Sequence, residues 1–375
     1  MATVRSVVVV GGGICGLSVA IGLARAGIDV EVLEKSSDGN VLGIGMALQA
    51  PALRALESLG LLQPCLASGF AHQTTTQFAL DGAVISSQPI ARPLGNHVPG
   101  QLGIQRKAVH RLLLNEARRA GVGVRFGTTA VAACQNDVHV ELVLSDHTRL
   151  ECDLVIGADG AHSAMRKTLL DSSLMPEFTG QATWRIAVPR PPAVRGMCLI
   201  LGGPLSVGIN PVTDAEAYIF VVENVAERRH MPEAELLARL PHLLRSYGGL
   251  IADLITTVRD ASAIVYRPLE SLILPPPWYA GSAILIGDAA HTTTPHMAAG
   301  ALIALQDAVV LVNELVHATT VAAALDRFMA RRYERCKLLV EGCRQIGEWQ
   351  KAGRVRPPEA AQLQANVMAM LAAPV

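Results

Sequence analysis

One short stretch near the start of the chain constrains its fold more than any other. Four consecutive valines, Val7 to Val10, run straight into Gly11, Gly12 and Gly13, with Gly16 three residues on. β-Branched residues favour strands, and a short continuous apolar run reads as a strand buried on both faces, the habit of parallel sheets. Ile14 to Ala26 carries a helical pattern and stops at Gly27, a natural C-terminal end. Ile28 to Leu33 then alternates and closes on Glu34. Residues 4–34 thus form a strand–helix–strand unit of the usual size. A chain that starts this way is committed to a parallel sheet flanked by helices.

Composition agrees and excludes several classes. Half of the residues are hydrophobic and only 4% aromatic, so the apolar weight lies in Ala, Val, Leu and Ile. With 17% charged residues, disorder is excluded. Lys+Arg and Asp+Glu both number 32, which argues against nucleic acid as the main partner. Seven cysteines (15, 65, 134, 152, 198, 336 and 343) are scattered without a C-x-x-C pair, so neither a metal site nor a disulfide framework is expected. Two uncharged segments, Ser6 to Ala24 and Gly196 to Thr213, are broken by glycines or by Pro204 and Pro211. We therefore expect no membrane span and a cytoplasmic protein, monomer or homodimer.

The glycine turn recurs in kind. Short strands follow one another from Val122 to Leu150, and Asp153 to Ile156 ends in Gly157-Ala158-Asp159-Gly160. Ala283 to Ile286 ends in Gly287-Asp288-Ala289-Ala290. Between Gly180 and Arg267 the texture shifts to strand-like runs and proline turns, with one helix over Pro232 to Tyr247. Beyond Gly300 the chain is helical to about Lys351, and Pro357-Pro358 separates a short tail. The expected division is a discontinuous nucleotide-binding domain (1–70, 101–179 and 268–350), a second domain (71–100 and 180–267) and a tail (351–375).

Gly11-x-Gly13-x-x-Gly16 has the spacing of a dinucleotide turn, which needs a tight bend and close backbone approach to a pyrophosphate. The free amides of the following helix then face the phosphates. Glu34, with Lys35 next to it, stands about 20 residues on, where an acid accepts ribose hydroxyls. An acid there favours an unphosphorylated ribose, hence FAD or NAD. Cys15 reads as a small residue that fits the turn.

The three turns in this order, with Arg166 after the second and His291, Pro295 and Gly300 after the third, resemble the aromatic-ring flavoprotein monooxygenases, the p-hydroxybenzoate hydroxylase-like family. The resemblance runs from residue 4 to about 340. It implies an α/β fold: a glutathione-reductase-like Rossmann FAD-binding domain, an inserted β-sheet substrate domain and a helical C-terminus. It implies FAD as cofactor, with NAD(P)H as transient co-substrate and dioxygen as oxidant. By the same resemblance Asp288 binds the ribityl chain, and Asp159 belongs to a segment serving the pyrophosphate and NAD(P)H. Arg106 lies near the flavin phosphates, and Gly43 to Leu48, with Gly45 at its centre, forms a loop that lets the flavin ring swing. The helix from Gly300 and Ala301 aims its positive end at the ring. Three positions depart from the pattern: Ala299 where the family has Gln, Leu302 where it often has Asn, and Ala50-Pro51 where it has Pro-Asn.

The implied reaction is hydroxylation of a small aromatic or N-heteroaromatic ring, of phenol or hydroxypyridine type, through a flavin hydroperoxide. That chemistry needs a dry cavity and a base or proton relay. His296 is the candidate base, against a purely structural role. Arg185 could meet a substrate carboxylate or make a surface salt bridge, Asn210 and Tyr218 lie on strands expected to face the cavity, and His291 orients the Asp288 loop. Pro295 to Ala298 also resembles a segment of 6-hydroxynicotinate-type monooxygenases. Alternatives are a flavin halogenase or prenyl-chain reductase, or a non-enzymatic flavin redox sensor. The halogenase signature Trp-x-Trp-x-Ile-Pro is missing, the tryptophans being residues 184, 278 and 349.

Overall fold

The computed structural model describes residues 4–37, 39, 43–136, 139–170 and 173–374. Its main sheet has six strands in the order Tyr279–Ala280, Ala283–Leu285, Leu154–Gly157, Ser6–Val10, Asp29–Glu34 and Gly123–Phe126. All neighbours are parallel except the hairpin at Tyr279–Leu285. The valine run is central, with Val10 paired to Leu33 on one side and Gly157 on the other. Every one of Val7 to Val10 is buried, as a strand with neighbours on both faces must be. Three parallel strands ending in register bring the turns after residues 10, 157 and 285 to one edge of the sheet. That edge is where ligands bind in open α/β sheets.

Helix Ile14–Arg25 packs against Gly300–His317 and Arg106–Arg119. Gly300–His317 is long and apolar enough to cross a membrane by length and composition, but 61% of that span is buried inside the fold. It is a core helix.

A second sheet of seven strands runs Ile264–Ser271, Glu177–Pro189, Glu216–Asn224, Ser206–Pro211, Met197–Ile200, Thr74–Phe78 and Val84–Pro89. Its side chains alternate strictly. Trp184, Ile186, Val207, Ile209, Ile219 and Val221 point into a core of their own beneath helices Glu233–Leu243 and Gly249–Ile255. Alternation sends Thr183, Arg185, Asn210, Tyr218 and Phe220 to the opposite face. A three-stranded sheet, Gly45–Gln49, Gln101–Gln105 and Gly69–His72, meets that face. The approach is close: a Cβ on Gly103 would lie 1.7 Å from the Pro211 carbonyl oxygen, and one on Gly45 would lie 2.7 Å from the Tyr218 ring.

Three expectations change. The stretch around Gly45 is a strand paired to Gln101–Gln105 rather than a loop, because its alternate residues Met46 and Leu48 are buried. The helix expected over Pro232 to Tyr247 ends at Leu243, and Gly249–Ile255 forms a further one. The tail is a docked helix, Pro358–Ala372, with Ala360, Val367 and Leu371 in the main core. Pro358 starts this helix, a position proline suits because the first amides have no partner anyway. Gln306 donates to the Leu371 carbonyl at 2.8 Å, and Arg335 to that of Pro374 at 2.8 Å. Val375 lies outside the described residues.

The glycine turn yields a paired prediction. A Cβ on Gly16 would sit 1.9 Å from the Gly11 carbonyl oxygen, whereas one on Gly13 would meet nothing within 4 Å. Gly16→Ala should destabilise the apoprotein by roughly 1–3 kcal/mol through overpacking. Gly13→Ala should leave its urea midpoint near that of the wild type. Equal midpoints for the two variants would contradict this packing.

Candidate functional site

The first turn is shaped to admit a ligand along its backbone. Gly11 has φ of 112°, and a side chain there would run into the Ala158 carbonyl at 2.3 Å, so the first two turns touch. Gly13 caps helix Ile14–Arg25 without any side-chain bond, leaving its first amides free beside the open space. His110 Nε2 donates to the Gly12 carbonyl at 2.8 Å from the neighbouring helix. Glu34 accepts from the Gly12 amide at 2.8 Å and the Ser36 amide at 2.7 Å. A carboxylate has about four acceptor positions, so capacity remains for hydroxyls. Lys35 is exposed. Cys15 donates to the Ala304 carbonyl at 3.3 Å and burial pushes its thiol well up, which fits a packing role.

Asp159 and Asp288 play different parts on the second and third turns. Asp159 accepts from the Ser163 hydroxyl at 2.6 Å and the Met165 amide at 3.0 Å, and Ser163 in turn accepts from the Arg166 amide at 2.8 Å. Both of its oxygens therefore hold the start of the next helix. Asp288 accepts no hydrogen bond among the described residues. Its side chain is accessible because the cleft it lines is open, yet the surrounding walls strip most of its solvation. Burial accordingly raises its pKa, with His291 and Arg106 opposing.

Arg106 completes this end. Its Nε is buried without a partner. Burial lowers its pKa; Asp288 raises it, while Arg185 and Arg267 lower it further. Sequence reasoning missed Arg267, although it sits on the strand beside Thr183 and shares the two-residue alternation that exposes Arg185.

Two buried arginines hold the turns in place. Arg166 donates to the carbonyls of Leu174 (2.6 Å), Ala289 (2.9 Å) and Ala161 (2.8 Å), joining the second turn to the third. Arg332 donates through Nε to Asp307 at 2.7 Å and through Nη2 to the Ile303 carbonyl at 3.0 Å. Asp307 also accepts from the Gly287 amide at 2.9 Å and pairs with His291 Nε2 at 2.5 Å. Burial alone would raise the Asp307 carboxyl, but His291 and Arg332 hold it at about 2. Burial pulls His291 down; Cys336 and Asp307 outweigh it and keep the ring charged. His291, Asp307 and Cys336 lie close enough to share a metal ion, but the Arg332 guanidinium already sits among them, 3.3 Å from Cys336 Sγ.

The residues expected on the substrate side are brought to one sheet face. Arg185 is half-buried, donates to the Gly45 carbonyl at 2.9 Å, and lies 5.9 Å from the Tyr218 ring centroid. The surface salt bridge considered for it is therefore corrected: its partner is a backbone oxygen of the facing sheet. Asn210 is fully buried; neither of its amide atoms makes a hydrogen bond of good geometry, and the neighbour its amide approaches is the Tyr218 phenol. Tyr218 lies opposite it in the strand pair; burial raises its phenol, with Arg185 and Asn210 opposing.

His296 stands apart from this group. Its Nδ1 is 2.8 Å from the Thr294 hydroxyl and its Nε2 is 3.2 Å from Gln350 Oε1. An amide oxygen only accepts, so Nε2 carries the proton and Nδ1 accepts from Thr294. Burial lowers His296 to about 4, Gln350 opposing and Arg356 adding to the fall. His296, the candidate base, is thus hydrogen-bonded at both ring nitrogens, with the Thr294 hydroxyl standing at Nδ1. A cavity of about 380 Å³ beside it is lined by Gln181, Ser271, Arg344 and Gly347, and touches none of Asp288, Arg106, Arg185 or Asn210.

Free amides and a desolvated arginine suit a pyrophosphate, and an unpaired carboxylate suits a chain of hydroxyls. A flavin dinucleotide carries both, so the parts present fit FAD, and the class is that of the dinucleotide-binding flavoproteins. Known proteins make this particular. The family described as FAD binding domain matches residues 5–342. "2-Heptyl-3-hydroxy-4(1H)-quinolone synthase" of Pseudomonas aeruginosa is 32% identical over 314 residues, 82% of this chain and 79% of that protein. "Putative FAD-dependent monooxygenase YetM" of Bacillus subtilis is 29% identical over 88% of this chain and 90% of its own length. Klebsiella pneumoniae HpxO, solved with FAD and uric acid, shares the fold with a TM-score of 0.86 at 22% identity, covering 99% of this chain and 97% of that one. The chain belongs to the FAD-binding-domain family and is a flavoprotein hydroxylase, an FAD-dependent monooxygenase, as the order of its motifs led us to expect. The redox-sensor alternative is thereby set aside.

Two measurements check this site. Asp288→Ala should weaken FAD binding to the apoprotein by about 1–3 kcal/mol, the cost of a lost buried hydroxyl partner; wild-type affinity in a fluorescence titration would remove Asp288 from the site. Asp307→Asn should cost roughly 3–5 kcal/mol of stability at neutral pH, because it breaks a buried charge network. The native Asp307 pKa of about 2 lies below its ordinary 3.8. The stability it contributes is therefore present above about pH 4 and lost as pH falls towards 2. Denaturation curves of the two proteins should converge over that window.

Proposed function

We propose that this enzyme hydroxylates a small aromatic or N-heteroaromatic ring of phenol or hydroxypyridine type, with NAD(P)H as transient reductant and dioxygen as oxidant. The observation that carries the reading is the cleft in which the Asp288 carboxylate faces Arg106, with Arg185 and Arg267 also within that arginine's field. Bound FAD supplies the transfer of one oxygen atom of dioxygen to the ring. The printed names of relatives support the substrate class, since a quinolone and uric acid are both N-heteroaromatic.

The chain's residues divide the remaining work. Gly11, Gly13 and Gly16 let the pyrophosphate reach the free amides of Ile14–Arg25, Glu34 and Lys35 take the adenosine ribose, and Asp288 takes the ribityl hydroxyls. Arg106 faces phosphate, Asp159 keeps the second turn closed, and the amides at Gly300 and Ala301 address the ring. We read residues 1–70, 101–179 and 268–350 as a glutathione-reductase-like Rossmann domain and 71–100 with 180–267 as the substrate domain. The two separate cores support that division.

On the substrate side, Tyr218, Phe220 and the strand Gly45–Gln49 exclude water, and Asn210 offers the substrate one donor and one acceptor. Arg185 keeps the two sheets in register through Gly45. A phenolic proton leaves through the Thr294 hydroxyl to His296 Nδ1, a neutral acceptor at physiological pH because burial lowers it.

Phenols and hydroxypyridines offered to the holoenzyme should stimulate NADH or NADPH oxidation, with one dioxygen consumed per hydroxylated product. In stopped-flow traces His296→Ala should slow product formation far more than flavin reduction. Equal slowing of both steps would take His296 out of the proton path.

A further inference from the structure

A cation that no motif accounts for reaches strand Ser206–Pro211 of the second sheet from the C-terminal linker. Helix Val321–Lys351 ends, and helix Pro358–Ala372 begins, around a short connection containing Arg356. Arg356 has φ of 54°, a left-handed conformation that non-glycine residues rarely adopt. It also precedes Pro357, and residues before proline favour extended backbone. The backbone thus holds this side chain inward in an unfavourable conformation.

The guanidinium finds little there. Its Nε is buried with no partner, and its one hydrogen bond, from Nη2 to the Val207 carbonyl, is long at 3.4 Å. No carboxylate pairs with it among the described residues, in contrast to Arg332. The groups around it are neutral: the Val207 carbonyl on strand Ser206–Pro211, the Tyr247 phenol and His296. A largely desolvated guanidinium without a carboxylate is costly, and one long hydrogen bond offsets little of that cost.

The geometry points to Arg356 as the anchor for an anionic group, a carboxylate or ring oxyanion, on the aromatic substrate. Val207 and Asn210 lie on one strand three residues apart, so the carbonyl that Arg356 reaches stands about 10 Å along the strand from Asn210. A substrate of one or two fused rings spans that distance, its acidic substituent at Arg356 and its reacting edge towards the cleft. Burial lowers the arginine only to about 10, so it stays charged at neutral pH. This inference rests on the proposed hydroxylation of an aromatic ring and specifies which rings are taken.

The test pairs matched probes with stability. Holoenzyme is titrated with hydroxybenzoates, hydroxynicotinates and hydroxyquinoline carboxylates, each against its carboxamide, and binding is read from the perturbed flavin spectrum. For at least one pair the wild type should bind the acid about tenfold or more tightly than the amide, the scale of a charge-assisted hydrogen bond. Arg356→Gln should bring the two affinities together and Arg356→Lys should keep part of the difference. Thermal unfolding of Arg356→Gln should occur at or above the wild-type temperature, because an unpaired buried charge has gone. Wild-type protein that discriminates no pair, discrimination that survives Arg356→Gln, or a marked drop in unfolding temperature would each overturn the assignment. Acid-selective binding without coupled hydroxylation would sink the monooxygenase substrate reading and spare the anion site. Hydroxylation with no acid preference would do the reverse.

Discussion

The structure turns on one buried carboxylate. Asp307 accepts from the Gly287 amide, His291 Nε2 and Arg332 Nε, and so joins the third turn to two long helices. Placing a carboxylate, an imidazolium and a guanidinium in an apolar core costs several kcal/mol per ion unless each is well paired. Pairing is nearly complete: the arginine also reaches the Gln306 side chain and the Ile303 carbonyl. The three ligand-type side chains around it could serve a metal ion, but Arg332 supplies positive charge at that point. Arg166 acts similarly from the other side, collecting three carbonyls so that the second and third turns cannot drift apart.

Against that scaffold the unsatisfied groups stand out. Buried polar groups are hydrogen-bonded with few exceptions, and here several of the exceptions lie on the side of the second sheet that meets the turns. Among the described residues the Asp288 carboxylate, open to the cleft, accepts no hydrogen bond, Arg106 and Arg356 each bury an unpaired Nε, and the buried Asn210 amide makes no hydrogen bond of good geometry. Charges that build the protein are mostly paired, His291 Nδ1 being an exception, and groups that would meet a ligand are held open by them. Asp159 and Asp288 show the contrast most plainly, since both follow a strand and a glycine-containing turn. The first spends its oxygens on Ser163 and Met165, while the second spends none.

Much of this was legible in the chain. Val7–Val10 and the glycines after them specify a buried parallel strand and a tight turn by local sterics alone, and the structure has both. Strands of the second sheet were legible for the same local reason, and so was the face carrying Arg185, Asn210 and Tyr218. What could not be read were matters of long-range contact. Gly45 lies in a strand because Gln101–Gln105 pairs with it, a partner some 55 residues away whose identity no local pattern reveals. The C-terminal segment looked like a tail because Ala and Met spread around a short helix leave a weak stripe; its docking depends on Gln306 and Arg335, which meet its last carbonyls. His296 was picked out for its place beside the third turn, but its tautomer and its partners Thr294 and Gln350 belong to the folded state.

The zero net charge of the chain conceals a strongly asymmetric site. Thirty-two cationic and thirty-two acidic residues cancel over the whole molecule, and several surface acids have a basic neighbour, as at Arg125–Glu31 and Arg354–Glu359. Around Arg106 the balance fails: Arg185 and Arg267 stand near it and Asp288 is its one acidic neighbour, while Arg356, further along the second sheet, has no carboxylate partner among the described residues. Low-dielectric walls lengthen the reach of such a local excess. A local excess of positive charge suits an anionic cofactor, and composition averaged over the chain could not have revealed it. The aliphatic surplus that composition does report serves the same end, since it provides the dry walls in which a few unpaired arginines act at full strength.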